Sequence, residues 1–343
     1  MLPEIFLKAL IALLPVIALV LVLDHLDSHR LLGARFILKV FVAGGIIAVI
    51  SAFVNGFVLD YSQTGFVSYT QYGAPIVEET LKAGVLVFLF RTNRIGFLID
   101  AGILGFTVGA GFSLVENIYY LTLAADAHYG IWFVRGFGTA IMHGGTTAIF
   151  AILAQTMTER HLKMNPLLYL PGLLAAIILH SIFNHFPVSP VLSTSVTLLI
   201  LPTLLFMLFE RNTAAIHNYL EVDFDSHKRL LRQIDHGELS GCEAGRFLMD
   251  LKQVVTGSVA RDMVYYFHLH TELVLSAEQL LLAREQGINV SIDREIIEKL
   301  TEFHGLEKSI GKAGMKALRP HLHFSHKELW EVHLLDDESH HHH

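Results

Sequence analysis

Long apolar stretches separated by short polar loops make up the first 210 residues of the chain. A helix needs about 20 largely apolar residues to cross a bilayer. Seven stretches meet that length, over roughly residues 3–23, 35–59, 67–90, 95–123, 131–157, 166–186 and 191–209. Because the chain is 52% hydrophobic and only 17% charged, we predict an all-α, polytopic membrane helix bundle of about seven transmembrane helices.

The loops between these stretches differ in their basic residues. Loops one, three and five carry Lys or Arg, whereas loops two, four and six have neither. The positive-inside rule therefore predicts a multi-pass protein of the cell membrane, with its N-terminus outside and its C-terminal region in the cytoplasm. The basic loop residues are Arg30, Arg35, Arg91, Arg94, Arg160 and Lys163.

The chain changes in character near residues 210 to 225. Residues 1–220 hold 11 basic and 11 acidic side chains, whereas residues 221–338 hold 14 and 21, so the second part carries the whole net charge (14 − 21 = −7). We predict a transmembrane domain over 1–212 and a small, soluble, cytoplasmic helical domain over 221–338, followed by an expression tag at 339–343. The acidic second domain argues against a nucleic-acid partner. This domain can mediate a homo-oligomer or bind a protein partner.

Ionisable side chains also lie inside the predicted spans, where almost all neighbours are apolar. A charged group at the centre of a span costs at least ~2.5–3.5 kcal/mol, so each one needs a partner or a function. Measured along the helices from their predicted outer ends, Glu78 lies about 16 Å deep, Glu116 about 12 Å, His143 about 18 Å and His180 about 9 Å. Four groups from four helices therefore share one layer, from the outer leaflet to the middle of the membrane.

Spacing within two of these helices brings polar side chains together. Lys82 follows Glu78 by four residues and Glu79 by three, so it can pair with either carboxylate. The two glutamates themselves diverge by about 100° around the helix. One of them can thus be held by Lys82 while the other points into a cavity. His180 and Asn184 are also i,i+4 neighbours and face the same space.

Some of these residues have a purely structural interpretation as well. Glu79 and Lys82 can form a salt bridge that stabilises the bundle, and Asn184 can bond two helices together. Asp100 and Arg135 lie near span ends and can reach the membrane interface. The shared depth of the larger set nevertheless favours a functional site, because unrelated structural polar residues need not lie in one layer.

Three short motifs follow one another on successive predicted helices. Residues 78–82 (EETLK) fit E-E-x-x-K, residues 112–116 (FSLVE) fit F-x-x-x-E, and residues 180–184 (HSIFN) fit H-x-x-x-N. In this order they resemble the PrsW family of intramembrane proteases, which is related to the CAAX-prenyl endopeptidase and bacteriocin-processing superfamily, over roughly residues 65–190. The resemblance implies hydrolysis of a peptide bond of a membrane-anchored protein or peptide, in or beside the bilayer.

We predict four catalytic residues for such a protease. One of the paired glutamates, Glu78 in preference to Glu79, is the general base on a water, and Lys82 orients the pair. Asn184 donates to the developing oxyanion, although some members of the family carry an acidic residue at its position. The depth of the site predicts cleavage near the outer half of the bilayer.

The remaining polar groups predict a metal site. Two histidines and a carboxylate from separate helices suit a zinc ion with one position left open for water, so Glu116, His143 and His180 are the predicted ligands. A metal-free version, in which a glutamate and His180 activate the water, uses the same residues and stays open. A proton- or ion-coupled transporter is the alternative function, but it predicts inverted repeats, which the sequence does not show.

Overall fold

The computed structural model describes residues 2–26, 33–62, 64–124, 126–158, 165–185, 189–236, 257–285, 288, 290–318 and 326–339. Within these ranges every regular element is a helix, which confirms the all-α prediction. The chain divides into two compact units, Met1–Asn212 and Thr213–His343. The predicted loop residues Arg30, Arg160 and Lys163, and the tag residues 340–343, lie outside the described ranges.

The first unit consists of long helices with two π-helical turns between them. The π turns are Tyr69–Gly73, before α4, and Val134–Thr139, before α7. Such turns occur frequently at functional sites because they shift the side chains that follow. The helices are α1 (Leu2–Leu26), α2 (Ala34–Ser62), α3 (Phe66–Ser68), α4 (Ala74–Arg91), α5 (Leu98–Leu123), α6 (Tyr129–Phe133), α7 (Ala140–Thr158), α8 (Leu170–His185) and α9 (Pro190–Asp235), whose last part belongs to the second unit.

Five segments of the described chain are long and apolar enough to cross a membrane: Glu4–Val22, Ala34–Ser62, Leu98–Leu123, Tyr129–Thr158 and Pro166–His185. They correspond to five of the seven predicted spans. In place of the third, α4 has 18 residues with charges at Glu78, Glu79, Lys82 and Arg91. In place of the seventh, the described apolar segment is the shorter Pro190–Ile200. The number of seven spans and the orientation of the termini stay predictions.

Helix α5 is buried along most of its length and packs against α1, α2 and α7. Glycines make these contacts close. A Cβ atom at Gly109 would overlap the His143 carbonyl on α7, and one at Gly111 would overlap the Phe41 carbonyl on α2. Since only glycine permits such approach between helix backbones, Gly109 fixes the distance between α5 and the part of α7 that carries His143.

Replacing Gly109 by Ala is expected to destabilise the first unit by about 1–3 kcal/mol, the usual penalty for overpacking. The added methyl group would force α7 away from α5 and displace His143, so any activity should fall as well. Gly84 on α4 is the matched control, because a Cβ there meets nothing within 4 Å. Unfolding in detergent should show a lower midpoint for Gly109→Ala than for the wild type. The midpoint of Gly84→Ala should not be lowered. Equal midpoints for the two variants would contradict this account of the α5–α7 contact.

The second unit has a hydrophobic core of its own. It is formed by the last turns of α9 with α10 (Gly257–Glu285), α11 (Arg294–Leu318) and α12 (His326–Ser339). Buried core residues include Phe267, Leu273, Leu300, Phe303 and Leu335. The predicted helical character of this region is therefore observed over its described residues.

One histidine of the second unit is part of that packing. His270 is buried beside Tyr266 and Phe303, with ring centroids 6.5 and 5.9 Å away. Burial, reinforced by the charge of His227, lowers the pKa of His270 to about 3. The ring is therefore neutral at physiological pH and behaves as a core residue.

Candidate active site

A cavity of about 550 Å³ lies within the first unit, among α4, α5, α7 and α8. Next to its wall lie two buried residues of the predicted site, Glu79 and Lys82. Apolar residues such as Val134, Met142 and Phe183 form much of the remaining lining. The predicted site residues that line the cavity are Glu78, Glu116, His143, His180 and Asn184.

The start of α4 places the paired glutamates at the cavity. Pro75 lies in the first turn of α4, where a proline needs no backbone N–H partner. Glu78 and Glu79 follow one turn later on different faces of the helix. As a result, the side chain of Glu78 lines the cavity, whereas Glu79 points into the protein interior with its side chain only 1% exposed.

Glu79 accepts bonds from three neighbouring groups through one oxygen. Its Oε1 lies 2.6 Å from Lys82 Nζ, 2.7 Å from His180 Nδ1 and 3.2 Å from Thr146 Oγ1. A carboxylate has only acceptors, so His180 donates through Nδ1–H and keeps the lone pair on Nε2. Glu79 therefore fixes both the orientation and the tautomer of His180.

Glu78 is held from the opposite side by α2. Asn55 donates through Nδ2 to Glu78 Oε1 at 3.0 Å, and Tyr69 donates to Asn55 Oδ1 at 2.9 Å. The second carboxylate oxygen, Oε2, lies 3.8 Å from His180 Nε2. Neither Asn55 nor Tyr69 is among the residues predicted from the sequence. An asparagine inside an apolar span was the available signal, because such residues bond to neighbouring helices.

His143 has a charged partner at each ring nitrogen. Its Nδ1 lies 3.1 Å from Lys82 Nζ, and its Nε2 lies 3.2 Å from Glu116 Oε2. The His143 and His180 rings meet edge to face with centroids 4.9 Å apart. Contacts between Glu78 and His180, between the two histidine rings, and between His143 and Glu116 therefore link these four residues in one network.

Arg135, which the sequence suggested could reach the membrane interface, belongs to this network. Its guanidinium is 3.0 Å from Glu116 Oε2 and stacks 3.6 Å from the centroid of the Tyr120 ring. The π turn Val134–Thr139 carries Arg135 into the cavity wall. Asp100 is also buried, and its Oδ2 accepts from the backbone N–H groups of Gly96 and Phe97 at the start of α5.

Asn184 and its neighbour Ser181 bond to the π turn before α4. Asn184 donates through Nδ2 to the Thr70 carbonyl at 2.9 Å, and Ser181 donates to the Gln71 carbonyl at 2.6 Å. The Asn184 amide has a second N–H, and its side chain lines the cavity. It therefore joins α8 to the start of α4 at the edge of the site.

The comparison with protein families agrees with this arrangement. The family model described as "PrsW family intramembrane metalloprotease" matches residues 29–209, which is more than half of the chain. This chain belongs to the PrsW family. Neither the curated proteins nor the solved structures compared with it include a match.

Membership of the PrsW family makes the chain an intramembrane protease of the metal-dependent class, acting on membrane-embedded protein substrates. The apolar helices agree with a multi-pass membrane protein. The match contains the cavity and all the polar residues around it, and it ends before the second unit. The family therefore says nothing about the function of residues 213–343.

The PrsW family implies a metal, and three residues of the cavity fit one. Ligand atoms of Glu78, His143 and His180 lie within 4.8 Å of one another, the one such group among the described residues. Ligands bound at about 2.0–2.2 Å lie at most about 4.4 Å apart, so a small shift would complete the site. Two imidazoles and one carboxylate form a known catalytic zinc set. The predicted ligand Glu116 is not in this group and pairs with Arg135 instead.

Proposed function

We propose that this chain is a zinc-dependent endopeptidase that hydrolyses a peptide bond of a membrane-anchored protein near the outer half of the bilayer. The proposal rests on one observation, which is that one cavity is lined by Glu78, Glu116, His143 and His180. These groups come from four separate helices. Such a concentration of ionisable side chains inside a membrane-spanning unit is costly and therefore functional by default.

Glu78, His143 and His180 would hold the ion, through two ring nitrogens and one carboxylate oxygen. When bound, zinc would polarise the scissile carbonyl and make a water ligand acidic near neutral pH. Glu79 supports this assignment, since a metal-binding histidine usually donates its other N–H to a carboxylate, as His180 does to Glu79.

The proposed ligand set exchanges the roles that the sequence suggested for Glu78 and Glu116. With Glu78 among the ligands, Glu116 is the remaining carboxylate that lines the cavity. Its side chain is 22% exposed, compared with 10% for Glu78 and 1% for Glu79. Arg135 balances its negative charge. Glu116 therefore takes the proton of the attacking water and returns it to the leaving amine.

Three other residues support this chemistry. Lys82 neutralises Glu79, and Glu79 in turn orients His180. Asn184 lines the cavity and donates its second N–H to the oxygen on which negative charge develops. Apolar lining residues such as Met142 and Phe183 exclude bulk water, which strengthens these interactions.

The test compares His180→Ala with His185→Ala in purified protein reconstituted into vesicles. His185 lies on the same helix but outside this cavity, with Nδ1 2.6 Å from the Ser181 carbonyl. The substrates are fluorogenic peptides with one apolar span, and products are identified by mass spectrometry. We expect His180→Ala to lower cleavage about 10²- to 10⁴-fold and His185→Ala to retain it. Equal cleavage by both variants, or ion uptake without any cleavage, would contradict the proposal.

A further inference from the structure

Lys82 is a fully buried ammonium in the midst of groups that attract cations. Its Nζ lies 2.6 Å from Glu79 Oε1, 3.1 Å from His143 Nδ1 and 5.0 Å from the centroid of the Phe112 ring. An anionic oxygen, an imidazole nitrogen and an aromatic face therefore surround one positive charge. The first two are also the kinds of ligand that a divalent metal selects.

The position of Lys82 decides the tautomer of His143. An ammonium has three donors and no acceptor, so Nδ1 of His143 must accept and carries the lone pair. The proton is then on Nε2, which donates to Glu116 Oε2 at 3.2 Å. In this state the only lone pair of the His143 ring points at the Lys82 ammonium.

This tautomer prevents His143 from binding a metal through either nitrogen. At Nδ1 the ammonium already occupies the lone pair. At Nε2 a metal would require the proton to move to Nδ1, where an N–H would face the ammonium without an acceptor. His180 differs, because Glu79 leaves its Nε2 lone pair available beside Glu78. One histidine is therefore ready to bind, and the other is occupied by a lysine.

We infer that Lys82 is an internal competitor of the metal, and that complete binding of the ion requires its ammonium to leave His143. This inference rests on the proposed zinc site. Binding of zinc would favour the arrangement in which Lys82 has left His143. The apparent zinc affinity would be the intrinsic affinity multiplied by the fraction of molecules in which the His143 ring is free. The charge of Lys82 opposes the ion as well, since two cations a few ångströms apart repel each other.

The test measures binding of Zn²⁺ alone to the purified full-length chain, in competition with a chelator of known affinity. Lys82→Met and Lys82→Gln remove the charge, and Gln keeps a donor for Glu79 in case the Met variant does not fold. We expect both to bind zinc roughly 10- to 100-fold more tightly than the wild type, the range over which groups around the ligands alter affinity. Lys82→Arg keeps the cation and should not bind more tightly.

His180→Ala supplies the background, because the C-terminal histidines 340–343 are present in every variant and imidazole is a zinc ligand. Tighter binding by the two neutral variants, but not by Lys82→Arg, supports the competition. Wild-type binding that depends on His180 but is unchanged in folded Lys82→Gln overturns it and leaves the proposed zinc site intact. Zinc binding that equals the His180→Ala background in wild type and neutral variants overturns both.

Discussion

Glu78→Gln is expected to weaken zinc binding at the proposed site and to abolish the cleavage of membrane-anchored substrates. Glutamine has the size of glutamate and can still accept from Asn55, which donates to Glu78 Oε1 at 3.0 Å. It does not carry the negative charge that a carboxylate ligand contributes to the binding of a divalent cation. We expect zinc affinity to fall by at least the roughly 10- to 100-fold that follows from changing groups around the ligands, and cleavage to fall at least about 10²-fold.

Glu116→Gln is the matched variant, because Glu116 lines the same cavity but lies outside the proposed ligand group. We expect this protein to keep its zinc and lose cleavage, as required of a group that takes a proton from water. Metal content by mass spectrometry and cleavage in vesicles separate the two roles. Zinc retained in Glu78→Gln and lost in Glu116→Gln would reverse the assignments and restore those suggested by the sequence.

The sequence identifies residues that meet at one cavity, whereas their roles stay predictions. Because an ionisable group inside a membrane costs free energy, the sequence of each helix by itself singles out one of the residues Glu78, Glu116, His143 and His180. The structure brings these residues together around one cavity. Roles depend on contacts between helices, which no single helix encodes. Glu78 was separated from the histidines in the predicted ligand set, although its Oε2 lies 3.8 Å from His180 Nε2.

Arg135 shows why part of the site escaped prediction. Its sequence position suggests a residue that reaches the membrane surface. A π turn rotates it inward, where it meets Glu116 and the Tyr120 ring. A turn of this kind has no reliable hydrophobic period, since that period reports the α-helical repeat of 3.6 residues. Contacts within one helix are easier to predict from the sequence. The i,i+3 spacing of Glu79 and Lys82 predicts a contact, and in the structure Lys82 Nζ lies 2.6 Å from Glu79 Oε1.

Glu79→Ala is expected to be the most destabilising single change in the site. Lys82 is fully buried, and removal of Glu79 leaves its ammonium without the carboxylate at 2.6 Å. Breaking a buried pair in this way typically costs about 3–5 kcal/mol, because one charge stays uncompensated in a medium of low dielectric constant. Unfolding in mixed detergent, followed by circular dichroism, should show a large loss of stability and little folded protein on purification.

The double variant Glu79→Ala/Lys82→Met should recover most of that stability. Replacement of both members of a buried pair by apolar groups is often neutral, so the two substitutions should be strongly non-additive in a double-mutant cycle. Cleavage should not recover, because His180 then lacks the carboxylate that orients it at 2.7 Å. A stable but inactive double variant separates the two functions of Glu79. Additive losses of stability would show that Glu79 and Lys82 are not each other's main partners, whereas recovered cleavage would remove Glu79 from the site.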